Sequence, residues 1–134
     1  MPSFSNSSKY RLATCDVRLQ RIMLRAIQIV DFTVTCGHRS KQEQDKAYAG
    51  EKSQTPWPKS QHNAMPSRAV DVVPYPVEWP DIKRDSAVEY ARKLGRFYQL
   101  AGVVKACAYD FKIPVRWGGD WPNFKDYPHF ELIL

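Results

Sequence analysis

The chain has 134 residues, 43% of them hydrophobic, and 20 Lys and Arg against 14 Asp and Glu give a net charge of +6. That length and apolar content suit one hydrophobic core, so residues 1–134 read as a single domain, and no run is long or apolar enough for stable membrane insertion. The positive balance favours anionic partners, but the basic residues are scattered and no aromatic spacing matches an RNA-reading motif, so no nucleic acid is expected as a dedicated partner.

The N-terminus is polar and shows no signal-peptide pattern. Leu19, Ile22, Met23, Ala26, Ile27 and Val30 recur at three- and four-residue steps, which predicts an amphipathic helix from about Asp16 to Val30. Phe32 to Cys36 is β-branched and aromatic and runs into Gly37, a short strand ending in a turn. Ser40-Lys41-Gln42-Glu43 is a capping-box pattern and predicts a helix of about ten residues ending at Gly50. Glu51 to Pro66 is polar and carries Pro56, Pro58 and Pro66, so it reads as a long loop, and long loops in small domains tend to be functional.

Ala69 to Val73 is apolar except for Asp71 and predicts a strand closed by Pro74 and Pro76. Ser86-Ala87-Val88-Glu89 is a second capping box, opening a helix whose inward stripe is read as Val88, Ala91, Leu94, Tyr98, Ala101 and Val104. Gly102 within it suggests close packing or an early end. Val115 to Gly118 and Phe130 to Ile133 read as two further strands. The resulting order predicts an α+β domain, a small mostly antiparallel sheet packed against helices.

Cys15, Cys36 and Cys107 are odd in number, far apart and never paired as Cys-x-x-Cys. They read as small core hydrophobes rather than as disulfides or thiolate metal ligands.

Of three histidines, His62 lies in the long loop and His129 on the last predicted strand. Two imidazoles and a carboxylate can hold Zn²⁺ on three sides and leave a fourth position for water. Asp71 supplies a carboxylate on a strand otherwise too apolar to bury one without a cation or donors, although Arg39 or Arg68 could equally compensate it. Strand alternation puts His129 and Glu131 on one face and Phe130 and Leu132 on the other. Alone, His129 also fits a structural histidine and His62 a solvated one. Asp126, three residues before His129, can stand beside the open position and move a proton. His38 reads as a cleft or turn residue, Trp117, Trp121 and Tyr127 as groove or core, Ser60 as a substrate contact or turn former, and Glu131 as an acceptor orienting a ligand or as an ion-pair partner.

Ser60-x-His62 followed by Ala69-Val70-Asp71, with Asp126-x-x-His129 near the C-terminus, resembles the LAS zinc peptidases. These comprise D-Ala-D-Ala carboxypeptidases and dipeptidases and the bacteriophage L-alanyl-D-glutamate endopeptidases. Chain length, Gly37-His38-Arg39-Ser40 and Gly119-Asp120-Trp121 are most similar to the phage endolysins, over about Asp16 to Leu134. The resemblance implies a hedgehog-like zinc peptidase fold with His62, Asp71 and His129 as Zn²⁺ ligands and Asp126 as general base. It implies Arg39 as the group on a substrate carboxylate or polarised carbonyl, with Ser60 and Trp121 also meeting substrate. It further implies hydrolysis of the L-alanyl-D-glutamate bond of bacterial peptidoglycan by a monomer made in the host cytoplasm and released to the wall without its own signal peptide. The alternative within the fold is a D-Ala-D-Ala carboxypeptidase or dipeptidase. Two departures stand out. Eight residues separate His62 from Asp71 where six are commoner, the extra pair falling near Met65-Pro66 and expected to bulge outward, and the base is Asp rather than the frequent Glu.

Overall fold

A computed structural model describes residues 2–134. Its first helix, α1 (Asn6–Ala13), is capped by the Ser5 side chain, which accepts from the Ser8 amide. The periodicity does not reveal this helix because only its Ser8 and Leu12 are buried, too few for an apolar stripe. Helix α2 (Val17–Ala26) buries Leu19, Ile22, Met23 and Ala26 as the periodicity predicts, with Asp16 as its cap. It stops at Ala26, and residues 27–30 form a turn rather than the expected last helical turn.

Strand β1 (Phe32–Cys36) is followed by α3 (Lys41–Ala49), where both hydrogen bonds of the Ser40–Glu43 capping box form. The long loop holds a single 3-10 turn, Gln61–Asn63. Strand β2 (Ala69–Pro74), helix α4 (Ala87–Asp110), strand β3 (Val115–Trp117), a second 3-10 turn (Gly118–Asp120) and strand β4 (His129–Leu132) complete the order. The four strands lie in the order β1-β2-β4-β3 with every neighbouring pair antiparallel. This is the α+β architecture expected.

The sheet has two unlike faces. Phe32, Val34, Val70, Val72, Phe130 and Leu132 join Leu19, Ile22, Met23, Leu100 and Val104 of α2 and α4 in one apolar core. Because side chains alternate along a strand, Asp71, His129 and Glu131 fall on the opposite face. The site is therefore carried on the back of the core.

Helix α4 corrects the predicted stripe in its first half. Val88 is 77% exposed and Ala91 is exposed, Tyr98 is half-exposed, and the buried positions are Phe97, Leu100, Ala101, Val104, Cys107 and Ala108. The opening turns are held by ion pairs instead, Arg92 to Glu78 and Glu89 and Lys93 to Asp85. Gly102 marks neither close packing nor an end: a Cβ there would meet nothing within 4 Å, and the helix runs on to Asp110.

Candidate active site

Sheet register builds the first half of the site. Asp71 of β2 stands directly opposite His129 of β4, and Ala69 stands opposite Glu131. The pairing puts His129 Nδ1 3.1 Å from Asp71 Oδ1, while His129 Nε2 lies 2.8 Å from Glu131 Oε1.

Turn and loop hydrogen bonds build the second half. The Ser60 hydroxyl accepts from the His62 amide, and the Asn63 side-chain oxygen accepts from the Ser60 amide, so the 3-10 turn is capped from both directions. The Arg39 amide donates to the His62 carbonyl at 2.8 Å, tying this turn to the segment after β1. His62 Nδ1 lies 2.7 Å from the Gly37 carbonyl oxygen and can only donate there. Its Nε2 is thereby turned inward, 3.1 Å from Asp71 Oδ1 and 3.3 Å from His129 Nδ1. The extra residues before β2 stand at the surface, with Met65 70% exposed.

His62 Nε2, Asp71 Oδ1 and His129 Nδ1 thus form a triangle with edges of 3.1, 3.1 and 3.3 Å. Tetrahedral bonds of about 2.0–2.1 Å to nitrogen and carboxylate oxygen require donor atoms roughly 3.3 Å apart. The donor set fits a zinc ion in chemistry and in spacing. The remaining nitrogen of each imidazole already meets an oxygen acceptor, the arrangement that fixes tautomer and ring orientation in metal-binding histidines.

Burial opposes charge on both imidazoles, but the Asp71 carboxylate overrides it, raising His62 to about 10 and His129 to about 9. Desolvation works against the Asp71 carboxylate as well, but the two imidazoles hold it far below the usual carboxylate range. The one carboxylate thus favours positive charge on both nitrogens that face it.

Asp126 approaches from the turn before β4, its Oδ2 4.0 Å from His129 Nδ1. Its amide donates to the Gly118 carbonyl, and a Cβ at Gly118 would collide with the Asp126 backbone. Only glycine lets this segment close on the cleft. Burial, followed by the Asp71 charge, raises the Asp126 carboxyl above its ordinary value. A carboxylate with raised proton affinity beside a polar cleft is suited to taking up a proton.

The Arg39 guanidinium lies 3.8 Å from Asp71 Oδ2 and donates through Nη1 to Gln44 Oε1 at 2.9 Å. Cys36 departs from the sequence reading. Cys15 and Cys107 are buried, whereas Cys36 is half-buried, with Sγ 3.8 Å from His62 Nδ1 and 3.7 Å from Arg39 Nη2. Cys36, His62 and Asp71 also offer donor atoms within 4.8 Å of one another. The triangle with His129 is tighter, and Cys36 meets the His62 nitrogen that already faces Gly37.

Arg39, Ser60, His62, Asp71, Trp121, Asp126, His129 and Glu131 all line one cleft of about 300 Å³. Lys52, Lys59 and Phe124 border it as well. Trp121 stacks obliquely on His129, ring centres 5.1 Å apart. Ser60 reaches the cleft but its hydroxyl is engaged in capping. Trp117 and Tyr127 belong to the core side: Trp117 is 2% exposed and its indole donates to the Tyr127 carbonyl. His38 bonds the Ala64 carbonyl and lies outside the cleft. Nothing in the sequence pointed to a role for Cys36, Gly118 or Gln44 at the cleft. Gln44 is fully buried, yet it is flanked by Lys41-Gln42-Glu43 and Asp45-Lys46 and carries no signal of burial.

Residues 2–133 match the family described as phage L-alanyl-D-glutamate peptidase. The chain is 30% identical over 135 residues to an L-alanyl-D-glutamate peptidase of Escherichia phage T5, covering 96% of this chain and 88% of that protein. Its fold is similar to that of the L-Ala D-Glu endopeptidase ChiX of Serratia marcescens, with a TM-score of 0.75 and 29% identity over 98% of this chain and 91% of the other. The match over residues 2–133 and the 30% identity to the phage T5 peptidase show that the chain belongs to the phage L-alanyl-D-glutamate peptidase family.

Proposed function

We propose that this protein is a zinc-dependent peptidoglycan hydrolase that cuts the L-alanyl-D-glutamate bond of cell-wall stem peptides. The observation that carries the reading is the triangle of His62, Asp71 and His129 donor atoms, 3.1–3.3 Å on a side, facing a cleft that also holds Asp126 and Arg39. His62 Nε2, Asp71 and His129 Nδ1 would hold the ion, with Gly37 and Glu131 keeping both imidazoles in the required tautomer. A zinc ion bound there lowers the pKa of water and polarises a carbonyl.

Asp126 takes the proton from the attacking water and returns it to the departing amine of D-glutamate. Its raised proton affinity suits the first transfer, and the same proton serves the second. Arg39, still able to donate from its fork, binds the anionic oxygen that develops on the scissile carbonyl or a carboxylate beside it. Trp121 covers one side of the cleft and limits water around the reacting groups. The net positive charge draws the enzyme to the anionic wall, an attraction that weakens with salt. The working unit is the monomer, synthesised in the host cytoplasm and released to the wall. Among the described residues no helix is long and apolar enough to cross a membrane.

Mass spectrometry of digested peptidoglycan tests the bond. New N-terminal D-glutamate supports the endopeptidase, whereas loss of terminal D-Ala would assign the carboxypeptidase instead. Metal analysis beside the same digestion, with chelation abolishing lysis and Zn²⁺ restoring it, tests the cofactor.

A further inference from the structure

Gln44 is fully buried, and every polar atom of its amide is engaged. Its oxygen accepts from Arg39 Nη1 at 2.9 Å and from Asn63 Nδ2 at 3.3 Å. Its nitrogen donates to Ser53 Oγ at 2.9 Å and to the Thr55 carbonyl at 2.6 Å. One side chain thus joins helix α3 to three parts of the cleft: the Arg39 guanidinium, the turn that carries His62, and the Ser53–Thr55 wall. Asn63 completes the circuit by donating to the Arg39 carbonyl.

We infer that Gln44 is a positioning residue for the hydrolysis proposed above, holding the Arg39 guanidinium in register with the His62 turn through its buried amide. The inference rests on that functional reading. Three features of the geometry carry it. An arginine side chain has large rotamer freedom, so a guanidinium meant to meet a developing charge must be fixed beforehand. Asp71 at 3.8 Å is beyond hydrogen-bond reach and the Cys36 thiol at 3.7 Å is a weak sulfur acceptor, so the Gln44 oxygen at 2.9 Å is the shortest side-chain hydrogen bond of the guanidinium among the described residues. The orientation of the amide is also fixed: its nitrogen donates to the Thr55 carbonyl and to Ser53, and a flipped amide would set its oxygen against the Thr55 carbonyl and its nitrogen against the Arg39 guanidinium. Gln44 cannot itself touch substrate, being enclosed on all sides, so its effect passes through Arg39.

A double-substitution cycle tests this on the zinc-loaded full chain, using a soluble stem peptide with an intact L-Ala-D-Glu bond. A displacement of about 1 Å can cost roughly 100-fold in rate, so Gln44→Met should lower kcat/KM by about 10- to 100-fold. In an Arg39→Ala background the same change should cost less than about threefold, because the residue through which it acts is gone. Gln44→Asn, which keeps an amide but draws its acceptor one methylene back from Arg39, should lose rate in the presence of Arg39 and little in its absence. Equal losses for either variant with and without Arg39 would overturn the inference and leave Gln44 a scaffold for the loop. If Gln44→Met does not fold, the same comparison made with Gln44→Asn decides: a loss confined to the Arg39-containing chain supports the inference, and an equal loss in both backgrounds opposes it. Failure of the unsubstituted chain to release N-terminal D-glutamate would count against the enzyme reading instead.

Discussion

Half of the site is fixed by a sheet and half by a loop, and the two halves are held by different physics. Asp71, His129 and Glu131 meet because β2 and β4 pair in one register, with Val70, Val72, Phe130 and Leu132 anchoring the other face in the core. A one-residue slip would turn all of those apolar side chains to the wrong side, so the register is strongly specified. Arg39, Ser60 and His62 have no such guarantee. They are placed by a set of turn and loop hydrogen bonds, among them those to Gly37, Asn63 and Gln44, each worth about 1 kcal/mol net. A precise site can therefore be assembled from a rigid wall and an adjustable one, with the chemistry at their meeting line.

Substitutions in the sheet half should give the largest effects. His129→Ala should lower bound zinc and abolish turnover together, and full zinc retention by metal analysis would remove His129 from the ligand set. Asp126→Ala should separate the two: turnover falls by about 10²- to 10⁴-fold while zinc stays near that of the unsubstituted chain. Unchanged peptidoglycan digestion would dismiss Asp126 as the base. Glu131→Gln, which keeps the size but not the charge beside His129 Nε2, should weaken zinc binding by about 10- to 100-fold in a chelator competition. His62 has a backbone carbonyl in the same role, so the loop half offers no equivalent substitution.

How legible each half was follows from the same division. Periodicity located α2, the capping boxes located α3 and α4, and alternation put His129 and Glu131 on one face. The start of α4 differs from the predicted stripe because Val88 and Ala91 fit an apolar spacing but are exposed, and ion pairs hold these turns instead. Helix α1 was missed for want of a stripe. The candidate ligands stood out by residue type and motif, whereas their supports did not. Gln44 sits in a charged stretch that resembles any exposed helix, and nothing local reveals that Cys36 ends beside His62. Such residues are selected by long-range hydrogen bonds, which leave no period in the chain.

Acidity offers a subtler contrast between the metal-free and metal-loaded protein. Without zinc, His62 and His129 titrate near 10 and 9 against 6.5 unfolded, so their contribution is complete below pH 6.5 and is lost as pH rises through those values. Asp71 is shifted the other way, and its contribution persists above pH 3.8 and fades only as acid lowers the pH below that. The chelated chain should therefore melt at lower temperature at pH 9 than at pH 6. Zinc must displace those imidazole protons, so the stabilisation it adds should grow over the same interval. Melting curves with chelator and with zinc should diverge as pH rises, and parallel curves would contradict the assignment. The smallest effect expected is that of Ser60→Ala, about 1 kcal/mol from loss of the cap on the His62 turn, read by thermal melting.

The three donor atoms come from segments widely separated along the backbone: His62 and Asp71 are nine positions apart, and Asp71 and His129 are 58 apart. A cation shared among them would join a turn and two strands as a covalent bridge does, closing long circuits whose freedom the unfolded polymer would otherwise regain. In a chain whose cysteines are all free thiols, that ionic rivet would take the place of a disulfide.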